Sequence, residues 1–352
     1  MAVKAAINGF GRIGRLAFRI AVTDFPKEID VVAVNTSGSM DVRGWAHLLK
    51  YDTVYGKFRK DIAVEEVEKP ANVTDANPLI GYFKIDDKKC EILAQRDPAK
   101  LPWKKLGVDV VIESTGQFNS DQKARPHILA GARKVLLSAP PKGGGVGTYV
   151  LGVNSYKGQG DIISNASCTT NSIAPVAAIM HKKFGVRKAV LTTVHAYTDD
   201  QRLVDNSHKD LRRARGAAQN IIPTTTGAAI SATETIPELK GLFDGIALRV
   251  PVVTGSISDF TFVTERKVTV QEVNDAFKEA ANSLAWRNIV GVTEEPIVSS
   301  DIVGTSYSTI VDLSFTKVVD GDLVKVLAWY DNEWAYAVRL IEQAIAVGKT
   351  VQ

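Results

Sequence analysis

Val3-Lys4-Ala5-Ala6-Ile7-Asn8-Gly9-Phe10-Gly11-Arg12-Ile13-Gly14 runs from a short apolar stretch straight into a G-x-G-x-x-G pattern. The first six residues read as a strand. The segment that follows reads as a helix, because Ile13, Leu16, Ala17, Ile20 and Ala21 recur at helical spacing. Between the two, Gly9, Gly11 and Gly14 permit a tight turn and close approach of backbone to a pyrophosphate, whose charge then meets unpaired N–H groups at the helix N-terminus. A second apolar run, Ile29 to Asn35, closes a βαβ unit. The stretch predicts a dinucleotide-binding fold.

That fingerprint ordinarily ends on an acidic residue at the close of the second strand, which bonds the adenine ribose hydroxyls. Here the strand closes Val34-Asn35-Thr36-Ser37-Gly38, and Thr36 stands where the carboxylate is expected. A carboxylate favours NAD and repels a 2′-phosphate; a hydroxyl removes the repulsion and can donate to a phosphate oxygen. The pattern leans toward NADP, or toward accepting both cofactors.

Further strands are expected at Val108 to Glu113, Lys134 to Ser138 and Asp161 to Ser164, in the alternation that marks parallel strands joined by crossover helices. The second half differs. Its strand candidates are longer (Ala189 to His195, Gly245 to Thr254, Asp259 to Val263, Leu323 to Tyr330), with an amphipathic segment near Val270 to Leu284. The expected architecture is an α/β Rossmann domain over residues 1–167, completed by a C-terminal helix at about 333–352, and an α+β catalytic domain with a largely antiparallel sheet over 168–332.

Composition narrows the functional classes. The 352 residues are 45% hydrophobic and 23% charged, as in a globular chain of two domains. The net charge of +4, from 43 basic and 39 acidic residues, does not require nucleic acid as a partner. Cys90 and Cys168 form neither a disulfide framework nor a metal cluster, which suits a reducing, cytoplasmic compartment. No apolar run of about twenty residues occurs, and the strand pattern begins at Val3, so no membrane span or targeting segment is expected.

Ser164-Asn165-Ala166-Ser167-Cys168-Thr169-Thr170-Asn171 follows a strand, and the apolar pattern from Ile173 to Phe184 places a helix start near the cysteine. The positive end of a helix dipole lowers a thiol pKa and favours thiolate. His195 closes the apolar strand Ala189-Val190-Leu191-Thr192-Thr193-Val194, where it either pairs with a thiolate or sits as a satisfied core residue. Cys90 reads as structural. His47, His127, His181 and His208 lie in polar surroundings that suggest no chemistry.

With these residues assembled, the chain closely resembles the phosphorylating glyceraldehyde-3-phosphate dehydrogenases. The resemblance rests on Asn8 through Arg15, His47 through Asp52, Ser164 through Asn171, Thr192 through Thr198, Asp210 through Arg215, Ile222 through Ala229, Leu248 through Pro251 and Trp329 through Glu333, in family order. It implies reversible oxidation of D-glyceraldehyde 3-phosphate to 1,3-bisphosphoglycerate, with Cys168 as nucleophile and His195 as acid and base. It further implies that Thr198 and Arg249 hold the substrate phosphate, while Ser167, Thr169, Arg213, Thr226 and Gly227 hold the attacking inorganic phosphate. For NAD or NADP it implies Arg12 and Ile13 at the pyrophosphate, Arg96 and Ser138 at further contacts, and Asn332 at the nicotinamide carboxamide, with Asn35 and Thr36 at the ribose rim.

Two departures separate this chain from the NAD-linked members. They commonly carry Asn-Asp where Asn35-Thr36 stands, and Leu-Pro where Asn206-Ser207 precedes His208. Both changes resemble the NADP-accepting members, in which a serine from a neighbouring subunit's loop, here Ser207, reaches the 2′-phosphate. The resemblance thus also implies a homotetramer. Erythrose-4-phosphate dehydrogenase is the nearest alternative activity, but Thr198 and Thr224-Thr225-Thr226-Gly227 match the triose enzyme; a moonlighting nucleotide- or RNA-binding role is the alternative of a different class.

Overall fold

The strand Val3–Asn8 lies inside a nine-stranded sheet, paired in parallel with Ile29–Thr36 on one side and Val110–Glu113 on the other. Beyond Val110–Glu113 come Lys134–Leu137, Ile162–Ser164 and Gly147–Thr148, all parallel. Beyond Ile29–Thr36 the parallel strand Lys88–Ala94 is followed by Leu79–Ile85 and Ala63–Glu66, which run antiparallel. The switch in strand order falls where Asn8 and Glu113 end their strands, the position at which open α/β sheets bind ligands.

The computed structural model describes residues Met1–Gln352. It comprises two units, one of Met1–Tyr149, Tyr156–Asn165 and Ala337–Gln352, the other of Val150–Ser155 and Ala166–Tyr336. These bounds depart from the expected 167 and 333 by a few residues and add an excursion. Val150–Ser155 joins the second unit because Val150 packs in its core and Gly152 lies against Trp286 and Ile289. The chain returns to the first unit inside the helix Trp334–Gly348, whose Gly348 sits so close to Val3 that no side chain would fit.

The turn after the first strand is built as its glycines require. Gly9 adopts φ +98°, and a Cβ there would meet Thr115 N at 2.7 Å. A Cβ at Gly14 would overlap the Gly9 carbonyl oxygen, so the helix Arg12–Thr23 packs directly on the turn and buries Leu16, Phe18 and Ile20. Gly11 differs, since a Cβ there would meet nothing within 4 Å, and no side chain caps this helix start.

Below the turn lies a buried polar network. Asn8 Nδ2 donates to Glu113 Oε2 at 2.5 Å, and Trp103 Nε1 donates to His127 Nδ1 at 3.0 Å. An indole can only donate, so the His127 proton sits on Nε2, which faces Glu113 Oε2 at 3.2 Å. His127 is fully buried, which corrects the expectation of a polar, idle histidine; its surroundings on the helix Asp121–Leu129 are polar in sequence, but this side chain turns inward.

The second unit holds a seven-stranded sheet in the order Ile222–Thr225, Phe243–Val250, Val186–Ala196, Ser256–Thr264, Leu323–Tyr330, Thr309–Val319 and Val290–Thr293. All pairs are antiparallel except Val186–Ala196 with Phe243–Val250 and Val290–Thr293 with Thr309–Val319. The helix Cys168–Phe184 contributes Ile173, Ala177, Met180 and Phe184 to a core shared with Leu191, Phe260, Phe262 and Val326. A Thr269–Glu272 capping box starts the helix Val270–Asn282.

Replacing His127 with Phe leaves the Trp103 N–H without its buried partner and Glu113 Oε2 with Asn8 alone. The expected cost is about 3 kcal/mol of stability, read from denaturant unfolding of the first unit's signal; an unchanged midpoint would show that the network contributes nothing to the fold.

Candidate active site

The helix Cys168–Phe184 begins at the cysteine itself. Ser167 is its N-cap, accepting from Thr170 N at 3.0 Å, and Asn171 Nδ2 returns to the Ser167 carbonyl at 3.0 Å. Ahead of it Ala166 takes φ +57°, a left-handed conformation costing about 1 kcal/mol for a residue with a Cβ. Its carbonyl is held by the Tyr336 hydroxyl at 3.0 Å.

His195 comes from the other direction, next to last on Val186–Ala196. Its Nε2 lies 3.4 Å from Cys168 Sγ. The pair is thereby assembled from a helix start and a strand end, 27 residues apart. On the ring's far side, Nδ1 lies 2.6 Å from the Ala196 carbonyl oxygen and 2.6 Å from Arg249 Nη1. Arg249 is there because it is the partner of His195 across the parallel ladder.

Tyr330, at the end of its strand, completes the pocket and was not anticipated. Its hydroxyl bridges Thr169 Oγ1 at 3.0 Å and Thr193 Oγ1 at 2.8 Å, while its ring meets His195 edge-on with centroids 6.0 Å apart. Burial and the neighbouring Cys168 push its phenol above the usual range, so it stays protonated. The only sequence signal was an aromatic at a strand end within the Trp329-Tyr330-Asp331-Asn332 segment.

The electrostatics correct one expectation. The helix start was expected to lower the Cys168 pKa; burial instead pushes the thiol up, against the opposing pull of Arg249, the Thr169 hydroxyl and the backbone N–H groups of the first turn. Burial and then Arg249 lower the His195 imidazole to about 3, with the Ala196 carbonyl pulling the other way. Desolvation penalises both charged forms, and it outweighs the helix end. Cys168 nevertheless keeps part of its surface accessible, unlike Cys90, which is buried.

Several of the residues expected to hold two anions are bonded to one another or lie beside those that are. Thr198 Oγ1 donates to Asp200, whose other oxygen takes Arg213 Nη1 at 2.6 Å. Arg213 also donates to Thr224 Oγ1 at 2.9 Å and to the Thr225 carbonyl at 3.2 Å, which fixes it beside Thr226 and Gly227. Thr170 Oγ1 lies 3.5 Å from the Ala228 carbonyl, so the helix start carrying Ser167 adjoins the start of Ala228–Thr235. Thr169 faces Tyr330 and the sulfur.

In the first unit, Arg12 pairs with Asp52 at 3.2 Å and Ile13 follows it in the first helical turn. Ser138 follows the strand Lys134–Leu137 and donates its N–H to the Glu113 carbonyl at 2.9 Å. Two residues expected at the rim are bonded within the protein. Thr36 is buried and its hydroxyl donates to the Leu93 carbonyl at 2.9 Å, so it does not point at a 2′-phosphate. Asn35 spends its amide on Asn8 Oδ1 at 2.6 Å, the Gln95 carbonyl at 2.7 Å and Gln95 N at 3.0 Å, holding the rim together from inside. Exposed Ser37 and Arg96 line a recess of about 300 Å³ beyond that strand end. In the second unit, Asn332 Oδ1 accepts from Gly255 N at 3.1 Å and Ser256 Oγ at 2.9 Å, leaving its NH₂ to donate. Ser207 is exposed.

Comparison with known proteins finds two matching family domains. Residues 3–121 match the glyceraldehyde 3-phosphate dehydrogenase NAD binding domain, and residues 167–332 match its C-terminal domain. This chain belongs to the glyceraldehyde-3-phosphate dehydrogenase family. It is 48% identical over 351 residues to a glyceraldehyde-3-phosphate dehydrogenase of Streptomyces coelicolor, covering 99% of each chain. It is 46% identical over 354 residues, all of both chains, to that of Zymomonas mobilis. A chloroplastic glyceraldehyde-3-phosphate dehydrogenase A of Chlamydomonas reinhardtii is 47% identical over 349 residues, covering 99% of this chain and 89% of the relative.

Replacing Tyr330 with Phe strands the Thr169 and Thr193 hydroxyls. The expected result is a loss of about 1–2 kcal/mol in unfolding free energy and slower alkylation of Cys168; wild-type alkylation kinetics would show that Tyr330 does not position the thiol.

Proposed function

We propose that the chain is an NAD(P)-dependent, phosphorylating glyceraldehyde-3-phosphate dehydrogenase, with Cys168 as nucleophile and His195 as acid and base. The observation that carries this is the 3.4 Å approach of Sγ to Nε2 with Arg249 beside it, in a chain of this family.

As a thiolate, Cys168 Sγ adds to the aldehyde carbon, and the carbonyl oxygen takes a proton from His195 Nε2 to give a thiohemiacetal. In the next step Nε2 takes the hydroxyl proton back as the C–H bond breaks, which leaves a thioester on Sγ. Bound NAD(P) supplies the hydride acceptor. A phosphate oxygen then attacks the thioester carbonyl, the C–S bond breaks, and the thiolate returns. Thr198 and Arg249 hold the substrate's phosphate; Ser167, Thr169, Arg213, Thr226 and Gly227 bind the attacking one. Arg249 is the stronger of the substrate-phosphate donors, since a guanidinium offers charge-assisted, paired bonds.

The first unit fits a dinucleotide. Gly11 opens onto empty space at an uncapped helix start, the arrangement a pyrophosphate needs. Arg12 and Ile13 follow in the first turn, and Arg96 and Ser138 follow strands of the same sheet; in the second unit Asn332 keeps an NH₂ that suits a carboxamide oxygen.

NADP is accepted as well as NAD in this reading. Support comes from the absence of a carboxylate at Thr36, with donors offered by Ser37 and Arg96 around the recess and by Ser207 of a neighbouring subunit. A homotetramer is supported by exposed apolar residues on the loop after His195, Leu203 at 82% and Leu211 at 81%, and by exposed Ile221 and Ile246. Two free cysteines suit a cytoplasmic location, and no helix is long and apolar enough to cross a membrane.

Purified protein given glyceraldehyde 3-phosphate and inorganic phosphate is expected to reduce NAD(P), and Cys168→Ser to lose at least about a thousandfold in kcat. Full turnover with serine would remove the nucleophile assignment. Thr36→Asp is expected to lower kcat/KM for NADP by about tenfold or more while sparing NAD; equal losses with both cofactors would exclude charge at this position as the discriminator.

A further inference from the structure

Three neighbouring strands of the seven-stranded sheet meet at one edge. Ser256 opens the strand Ser256–Thr264, while Val186–Ala196 ends on one side of it and Leu323–Tyr330 ends on the other, with Tyr330 in register with Ser256. The start of the middle strand therefore stands between the residue after His195 and the turn that carries Asn332.

Ser256 is buried, and its hydroxyl reaches both neighbours. Ala196 N lies 3.1 Å from Ser256 Oγ, and Oγ lies 2.9 Å from Asn332 Oδ1. A backbone N–H can only donate, so the serine oxygen accepts from Ala196 and its one proton goes to the amide oxygen. A second donor, Gly255 N at 3.1 Å, fills the other lone pair of Oδ1. Gly255 presents that N–H from φ +98°, where a Cβ would meet the Ser299 carbonyl oxygen at 2.5 Å. Two donors on Oδ1 decide which end of the amide faces inward. A turned amide would set its NH₂ against the Gly255 N–H and cost the Ser256 proton its acceptor.

The backbone around Asn332 is held separately. Asp331 accepts from Gly304 N at 2.8 Å, Glu333 N at 2.9 Å and Trp334 N at 2.8 Å. Asp331 thus fixes the turn, and Gly255 and Ser256 fix the side chain that the turn carries.

We infer that Ser256 is a positioning residue for the nicotinamide: its hydroxyl, seated on the Ala196 N–H, holds the Asn332 amide oxygen inward and so aims the NH₂ at the carboxamide oxygen of bound NAD(P). One oxygen atom then ties the strand end that carries His195 to the amide that orients the hydride acceptor. The inference rests on the reading of Asn332 as the carboxamide partner. In that reading the adenosine and pyrophosphate make no use of Ser256, which supplies the control.

The test is calorimetric binding, to the full-length protein, of NAD and of ADP-ribose, which keeps the adenosine and pyrophosphate but lacks the nicotinamide. Ser256→Ala is expected to weaken NAD about five- to tenfold, the effect of one buried hydrogen bond, and to leave ADP-ribose within about twofold of wild type. Asn332→Ala should weaken NAD at least as much. Adding Ser256→Ala to Asn332→Ala should then change nothing more, because the hydroxyl has no amide left to aim. Ser256→Cys fills nearly the same space with a much poorer donor and should follow Ser256→Ala, so the comparison does not depend on the alanine variant folding. Parallel losses of NAD and ADP-ribose would mark a merely structural serine, and a loss that persists beside Asn332→Ala would show that Ser256 does not act through the amide; either result overturns the inference. If Asn332→Ala weakens NAD while Ser256→Ala does not, the positioning is wrong and the carboxamide reading stands. If Asn332→Ala binds NAD as wild type does, the carboxamide reading fails and the positioning with it.

Discussion

The helix Cys168–Phe184 is buried along nearly its whole length, and its first residue is the cysteine. Burial of that helix against the seven-stranded sheet therefore decides where the sulfur can be. The sheet decides the rest, because His195 ends the strand beside it and Arg249 shares its register on the next strand. A helix shifted by one residue would turn Cys168 by about 100°, away from the imidazole. Packing of Ile173, Met180 and Phe184 prevents the shift. Ser167 and the strained Ala166 then hold the last turn of chain before the sulfur.

The same burial sets the chemistry at rest. A desolvated thiol and a desolvated imidazole each favour the neutral form, and Arg249 adds to the effect on the ring while opposing it on the sulfur. Helix dipole, hydroxyl and amides are not enough to reverse this alone. Tyr330 belongs to this economy: its protonated hydroxyl satisfies two buried threonines and adds no charge.

Much of this was legible in the sequence. Gly9, Gly11 and Gly14 after an apolar run gave the turn, helical periodicity gave the helix behind it, and alternating strands and helices gave the first unit. Cys168 at a helix start and His195 at a strand end were visible as types, and the family resemblance joined them. The contact between His195 and Arg249 was not visible, because register across a parallel pair joins residues 54 apart through a ladder that no local pattern encodes. Tyr330 and His127 escaped for a related reason: a polar or aromatic residue in a mixed segment shows its inward turn only once its partners are known. The excursion of Val150–Ser155 into the second unit likewise follows from contacts with Trp286 and Ile289, remote in sequence.

The nucleotide rim shows how a correct residue can be read for the wrong reason. Thr36 drew attention as a hydroxyl able to donate, yet that hydroxyl is already bonded to Leu93 and buried. What it changes is the field. An aspartate in this place would either bury its charge against the Leu93 carbonyl, which offers no donor, or turn outward toward the recess lined by Ser37 and Arg96. Turning outward is the cheaper course, and it puts a negative charge where a 2′-phosphate would lie. Threonine does neither. In the proposed NADP-accepting reading, discrimination at this position rests on a repulsion that is missing rather than on a bond that is made, and the attraction for a 2′-phosphate is left to the exposed donors around the recess.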